Sequence, residues 1–323
     1  LTAEVKLQKE RKASECMENK YTVDIIIPTY KPDIKFNHLL RMLRVQTYQI
    51  HEIIIINTEE AYFPKEEYNK NPNMKVTHIC YADFDHGKTR AMAASKSKAD
   101  ILIYMTQDAV PEETFLIEKL IRPFSSGKVG AAYARQLPAP ESNLVEKYTR
   151  GFNYPEKSSI KSRKDIDILG IKTYFCSNVC AAYRRTFYEE LGGFVMKTIF
   201  NEDMIFAGKL INAGYEVAYV ADAKVIHSHN YGNIQQLKRN FDLGVSQAEY
   251  SELFNNLKSE NEGMKLVKQT ASHLIKIHKP WLIIDLVLKS GFKLIGFKLG
   301  KMYKSLPKSL ILKLTMNKAY WNA

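Results

Sequence analysis

Cysteine and tryptophan are scarce in this chain of 323 residues, with four of the first (Cys16, Cys80, Cys176 and Cys180) and two of the second. Four thiols over such a length are too few for a disulfide framework, so an apolar core has to hold the fold and a reducing, cytoplasmic setting is expected. The apolar share, 45%, is ordinary for a globular protein and argues against disorder. No Gly-x-Gly-x-x-Gly follows the first apolar run, which speaks against a dinucleotide-dependent oxidoreductase, and Gly-x-x-x-x-Gly-Lys-Ser/Thr is absent as well. Uncharged stretches stay well short of the roughly 20 residues that cross a bilayer. Residues 1–20 are polar and charged, unlike the apolar core of a secretory signal, and read as an N-terminal extension. Acids are nearly missing at the far end: from Met264 onward twelve Lys stand against one acid, Asp285, which gives that segment +11 of the total charge of +12.

What is present is alternation. Apolar runs at 22–27, 52–56, 76–80 and 101–105 read as strands, and between them lie helical patterns such as Phe36, Leu39, Leu40 and Leu43. Continuous β-branched runs suit strands covered on both faces. The pattern predicts an α/β fold, a mostly parallel mixed sheet flanked by helices. The length suggests two units, 21–230 carrying the sheet and 231–323 forming a basic, amphipathic helical region. Between Gln136 and Lys172 the chain is polar and contains Pro138, Pro140 and Pro155, which reads as a long active-site loop or insertion that sets specificity. Beyond it come strand character at 174–183, a helix from Met204 to Ala213 closed by Gly214, and a strand at 216–220.

Asp108 follows the strand at 101–105 directly, and ligands of α/β domains collect at the carboxyl ends of parallel strands. It is a candidate ligand for a metal or a sugar nucleotide, and Pro111 with Glu112 and Glu113 reads as the opening of a helix behind it. His86-Gly-Lys-Thr-Arg90 begins another helix, where cationic side chains and the helix dipole would favour an anion. Glu202 and Asp203 open a third helix, a position that the macrodipole alone favours for acids. Cys176 and Cys180 with His227 and His229 allow a structural zinc site, but the spacings are loose and the Cys pair lies in an apolar strand, so buried thiols are the expectation.

The order of these motifs resembles the inverting glycosyltransferase 2 family with its GT-A fold, over roughly 23–229. The likeness is carried by Ile27-Pro-Thr-Tyr30, the pair Asn57-Thr58, the basic helix start, Asp108 before Val110-Pro111, Leu191-Gly-Gly-Phe194, Glu202-Asp203 and a downstream His. It implies Asp203 as the general base with Glu202 beside it. Pro28, Thr29, Tyr30 and Asn57 would contact the nucleotide, Gln107 and Asp108 the donor, and His86, Lys88 and Arg90 its phosphates. Mg2+ or Mn2+ would be held by Asp108 with His229, His227 being the second choice. Phe84-Asp-His-Gly-Lys-Thr-Arg90, Thr106-Gln-Asp-Ala-Val-Pro111 and Leu299-Gly-Lys-Met-Tyr-Lys-Ser-Leu-Pro307 look like bacterial rhamnosyltransferases. That likeness implies dTDP-L-rhamnose as donor, a glycan or lipid-linked glycan as acceptor, and a place on the inner face of the plasma membrane. Two positions depart from the family: Thr106 where Asp-x-Asp would begin, and Asn57 where strand two usually ends in Asp.

The basic tail interleaves Lys with Phe, Leu and Ile, which suits helices lying on an anionic leaflet and equally a bundle packed on the catalytic unit or a homo-oligomer contact. A nucleic-acid binder would want Arg and aromatic contacts, yet no Arg follows Arg239, so nucleic acid is not an expected partner. The other rival is a non-catalytic sugar-nucleotide binder, to which Thr106 lends some support.

Overall fold

Two neighbouring runs of isoleucine, Ile25, Ile26 and Ile27 and then Ile54, Ile55 and Ile56, are at most 1% exposed, and this double-sided burial organises the molecule. In the computed structural model, which describes residues 21–229, 231–255, 257 and 260–321, they lie in adjacent parallel strands. The N-terminal extension expected at 1–20 lies outside the described residues. Strands β1 (Val23–Tyr30), β2 (Glu52–Thr58), β3 (Met74–Ile79) and β4 (Ile101–Met105) form one parallel half in the order β3-β2-β1-β4. Alternate side chains feed two cores, because side chains alternate across a pleated strand. Ile25, Ile27 and Ile55 join Phe36, Leu39 and Leu40 of helix α1 (Ile34–Arg44) on one face. Ile26, Ile54 and Tyr104 join Ala93 and Ala94 of helix α2 (His86–Lys96) on the other.

The sheet then changes direction. Strand β4 pairs antiparallel with β8 (Cys180–Arg184), and the order continues through β6 (Val129–Leu137) and β9 (Glu216–Ile226) to β5 (Val110–Pro111). Since β6 and β9 are parallel while β5 and β8 are antiparallel to their neighbours, the sheet is mixed, as expected. Pro111 corrects one expectation. It sits in β5 at the end of the strand order, where a residue without an N–H is tolerated, and the next helix, α3, runs only from Leu116 to Ile121.

The segment 136–172 is likewise more ordered than the long loop expected of it. It contains the end of β6, helix α4 (Leu144–Asn153) capped by Asn143, and β7 (Ser159–Lys161), which pairs with β9. Helix α4 buries no residue fully, and its apolar stripe, Leu144, Tyr148 and Phe152, lies among charged residues in a proline-containing stretch. Helix α5 spans Glu202–Asn212 and holds the acid pair in its first turn.

Helices α6 (Asn233–Glu249), α7 (Glu260–Lys276), α8 (Leu282–Lys301) and α9 (Lys308–Leu314) make up the C-terminal region. Helices α6 and α8 cross at backbone contact: a Cβ on Gly296 or Gly300 would stand 2.1 Å from the carbonyl oxygen of Leu237 or Phe241. Phe241 and Val245 of α6, with Ile311 and Tyr320 beyond it, pack on Ile199 just ahead of α5. Asp242 accepts from Thr315 Oγ1 at 2.6 Å and from Met316 N at 2.9 Å, which fastens the chain end to α6. This region is therefore seated on the sheet-bearing unit, as the bundle alternative expects. No helix among the described residues is long and apolar enough to cross a membrane.

Candidate active site

Pairing of β5 with β9 places Val110 opposite Ile226, so Asp108 and the His227-Ser-His229 turn meet just beyond the paired residues. Oδ2 of the half-buried Asp108 lies 3.5 Å from His227 Nε2 and 3.3 Å from His229 Nε2. One oxygen and two nitrogen donors thus converge within 4.8 Å of one another, a set that fits a divalent cation. Burial lowers the pKa of both imidazoles, with each other and nearby arginines adding to the effect on His227, so their lone pairs are free at neutral pH. Both His side chains reach the acid from the segment that directly follows β9. The zinc alternative is not realised. Both thiols are buried, Cys180 at the start of β8 and Cys176 in the segment before it; Cys176 Sγ lies 3.4 Å from Tyr183 Oη, and burial pushes the Cys176 thiol up to about 12.

The second acid pair has a different setting. Glu202 Oε1 is 3.1 Å from Arg90 Nε, a buried ion-pair contact, and accepts from Asn178 Nδ2 at 3.0 Å. Burial opposes the Glu202 charge, but Arg90, His86 and the Asn178 amide outweigh it and hold its pKa below the usual value. Asp203 accepts from the backbone N–H of Asn178 at 2.9 Å and of Met204 at 2.8 Å. Burial, and after it the charge of Glu202, push its pKa up to about 7. Asn201 precedes them in the left-handed region at φ 66°, a sharp turn that admits the chain to α5. A carboxyl group titrating near neutrality can take up a proton from a hydroxyl, whereas its ion-paired neighbour stays charged.

Side-chain contacts join these two stations. His227 Nδ1 meets Gln136 Oε1 at 3.2 Å, Gln136 Nε2 donates to Ser177 Oγ at 2.9 Å, and the next residue, Asn178, donates to Asp203.

Several expected contacts are redirected. Thr29 Oγ1 donates to Asn57 Oδ1 at 2.9 Å, and the Asn57 amide is spent on Glu59 O and His78 Nδ1. Both side chains satisfy each other, brace the ends of β1 and β2 and do not line the cleft between the two halves of the fold; Tyr30 and Thr58, one residue later on each strand, do. Pro28 is half-buried within β1. Gln107 clasps Tyr30, accepting from its N–H at 2.8 Å and donating to its carbonyl at 3.1 Å, which positions that ring and leaves little of the amide for a donor. The anion site expected at the start of α2 is filled by the chain's own Asp85, whose carboxylate accepts from Gly87 N and Lys88 N. Lys88 is exposed, and Arg90 is turned inward to Glu202 and to His86 O. His86 remains half-buried at the cleft, with its pKa lowered to about 4 by burial.

A cleft of about 390 Å3 opens between the two halves of the fold, lined by Tyr30, Thr58, Tyr81 and His86 on one side and by Arg239, Asp242, Met316 and Asn317 of the C-terminal region on the other. Thr58 Oγ1 and Asn317 Nδ2 are buried there without hydrogen-bond partners among the described residues. Arg239 is the residue that sequence reasoning missed. Its guanidinium lies 4.6 Å from the Phe200 ring centroid and 5.8 Å from that of Tyr231, which stacks on His229, and no acid among the described residues pairs with it. Its only local mark is that of one Arg on an amphipathic helix.

An open mixed α/β sheet with an acid after its fourth strand and an acid pair opening a later helix defines a glycosyltransferase of the GT-A type. Residues 24–192 match the family described as Glycosyl transferase family 2. The chain is 39% identical to the O-antigen chain rhamnosyltransferase RfbN of Salmonella typhimurium over 302 residues, 93% of this chain and 96% of that protein. It is 38% identical to the O-antigen chain rhamnosyltransferase WbaN of Salmonella anatum over 304 residues, 92% of this chain and 95% of that one. Among solved structures, the mannosyltransferase PcManGT of Pyrobaculum calidifontis, in complex with GDP-Man and Mn2+, shares the fold at a TM-score of 0.54 and 14% identity, covering 98% of this chain and 93% of that one. S. aureus TarS 1–349 does so at 0.53 and 12%, covering 88% and 91%. The chain belongs to glycosyl transferase family 2 and is a glycosyltransferase.

Proposed function

We propose that the protein transfers L-rhamnose from dTDP-L-rhamnose, with inversion, onto a hydroxyl of a lipid-linked O-antigen-type glycan. The observation that carries this reading is Asp203, a carboxylate poised near pH 7 beside a charged Glu202 and connected through Asn178, Ser177 and Gln136 to the Asp108 cluster. Asp203 takes the proton of the acceptor hydroxyl as that oxygen attacks the anomeric carbon opposite the departing diphosphate. Glu202, held by Arg90 and Asn178, orients the site and keeps Asp203 basic. Asp108, His227 and His229 would hold a divalent ion, Mg2+ or Mn2+, which would supply positive charge to neutralise the leaving diphosphate. Arg239 adds a cation from the C-terminal side of the cleft, and Tyr30 and Thr58 meet the nucleoside. The O-antigen chain rhamnosyltransferases at 39% and 38% identity support donor and acceptor class.

Helix α8 supports a place on an anionic membrane surface. Opposite the face bearing Gly296 and Gly300, it leaves Ile284, Val287, Leu288, Leu294 and Ile295 each more than half exposed, continuous with Trp281 and Met302. An apolar stripe about 30 Å long, at 1.5 Å per residue, amid lysines suits the headgroup boundary of a leaflet.

Product analysis with a panel of sugar nucleotides and lipid-linked glycans tests the reaction: rhamnoside formed from dTDP-L-rhamnose alone is expected, and turnover of another sugar nucleotide in its place removes the donor assignment. Flotation with phosphatidylglycerol vesicles tests the surface: Leu288→Ser with Ile295→Ser should lower binding, and undiminished flotation excludes α8 as the docking face.

A further inference from the structure

We propose that Gln136 fixes which ring nitrogen of His227 is offered to the metal, and that Arg150 of α4 fixes Gln136. This rests on the reading of Asp108, His227 and His229 as a cation site. A guanidinium can only donate hydrogen bonds, and Arg150 Nη1 lies 2.5 Å from one terminal atom of the Gln136 amide, so that atom is the carbonyl oxygen. The amide nitrogen accordingly faces Ser177 Oγ, to which it donates at 2.9 Å. His227 Nδ1 approaches the same Gln136 oxygen at 3.2 Å, and because an oxygen offers only lone pairs, Nδ1 must carry the proton. Nε2 is then left with its lone pair, 3.5 Å from Asp108 Oδ2.

Two acceptors facing one another in this way repel until a cation lies between them. Had the tautomer been reversed, Nε2–H would donate to Asp108 and close the site. Gln136 and His227 are both buried, at 3% and 7% exposure, so water does not readily replace the amide. Arg150 is itself held by Glu146, four residues earlier on α4, at 2.7 Å. The inserted segment 136–172 thereby acts on the metal site from behind, as partners of a ligating His set its tautomer and basicity in metal sites generally.

The test reads the tautomer and the metal separately. In metal-free protein labelled with 15N-histidine, long-range 1H–15N spectra, with His227 assigned by its loss in His227→Asn, should show the Nδ1–H form. Gln136→Met should mix or reverse that form and weaken Mn2+ binding, followed by electron paramagnetic resonance of free Mn2+ in the presence of dTDP, by about 10- to 100-fold. Gln136→Glu, which keeps the acceptor, should restore both, and Arg150→Met should fall between. If Gln136→Met folds and leaves tautomer and Mn2+ affinity unchanged, the relay is overturned. An Nε2–H signal for His227 in the unaltered protein overturns it equally, and this measurement needs no variant to fold. If the unaltered protein binds no Mn2+ while the tautomers follow the scheme, the cation reading fails and Gln136 still sets His227.

Discussion

Asp108 and Asp203 are the same side chain at the two stations of the proposed site, and their neighbours give them opposite characters. Asp108 stands among two neutral imidazoles with no second carboxylate in the cluster, which leaves negative charge seeking a cation. Asp203 is buried beside a carboxylate that Arg90 keeps charged, and burial first, with that charge after it, holds its pKa up to about 7. The comparison teaches that environment, and not residue type, divides the two roles proposed here, cation binding at Asp108 and proton transfer at Asp203.

The largest expected break in this contrast is Asp203→Asn. Turnover should fall by about 10^3-fold, within the range for a lost general base, while dTDP affinity by calorimetry stays unchanged. An unaltered rate would end the base assignment. Asp203 has a raised folded pKa, so its ionisation works against stability as pH rises through about 7. The variant should accordingly melt no lower than the unaltered protein at pH 8.

Arg90→Met comes next, because it strands a charge on buried Glu202. Breaking a buried pair from one side costs about 3–5 kcal/mol, and urea titration should show a loss of that order, much of it regained when Glu202→Gln is added. No loss would mean that the pair does not hold the two halves of the site together.

Arg239→Met sharpens the distinction from the metal side. Removing one charge-assisted contact to a diphosphate, worth about 1.5–3 kcal/mol, should weaken dTDP binding by about tenfold or more while leaving the Asp203 pH limb in place. The mildest probe is pH itself: kcat should rise about tenfold per unit below pH 7 and level off above it, since the ionised form of Asp203 is the active one. A flat profile from pH 5 to 8 would show that its proton is not the one that matters.

How much of this was legible along the chain varies by element. The isoleucine runs and the Phe36, Leu39, Leu40, Leu43 stripe announced their strands and helix because burial on both faces, or on one, leaves a period in the sequence. Asp108, Glu202 and Asp203 were placed by motif order. Helix α4 was hidden because its short apolar stripe lies between prolines and charged residues, and Pro111 misled because a proline that suits a helix start also suits an edge strand. Asn57 and Thr29 were expected to face a nucleotide, but their side chains, level with each other in the register of β1 and β2, satisfy one another. Asp85 was overlooked as the anion that occupies the amides of α2. Arg239 and Gln136 carry no local signature at all.

The sequence by itself determined the strands, the double-sided sheet, the family and the two acid stations, since apolar period and motif order are properties of neighbours along the chain. Only the tertiary structure decided which polar atoms are consumed by the fold and which face the cleft, that His227 joins His229 beside Asp108, and that Arg239 and Asn317 complete the far wall. The physical reason is that a hydrogen bond or an ion pair is spent on whichever partner lies within about 3 Å, and partners far apart along the chain, as Asp108 and His229 are, leave no trace in local sequence.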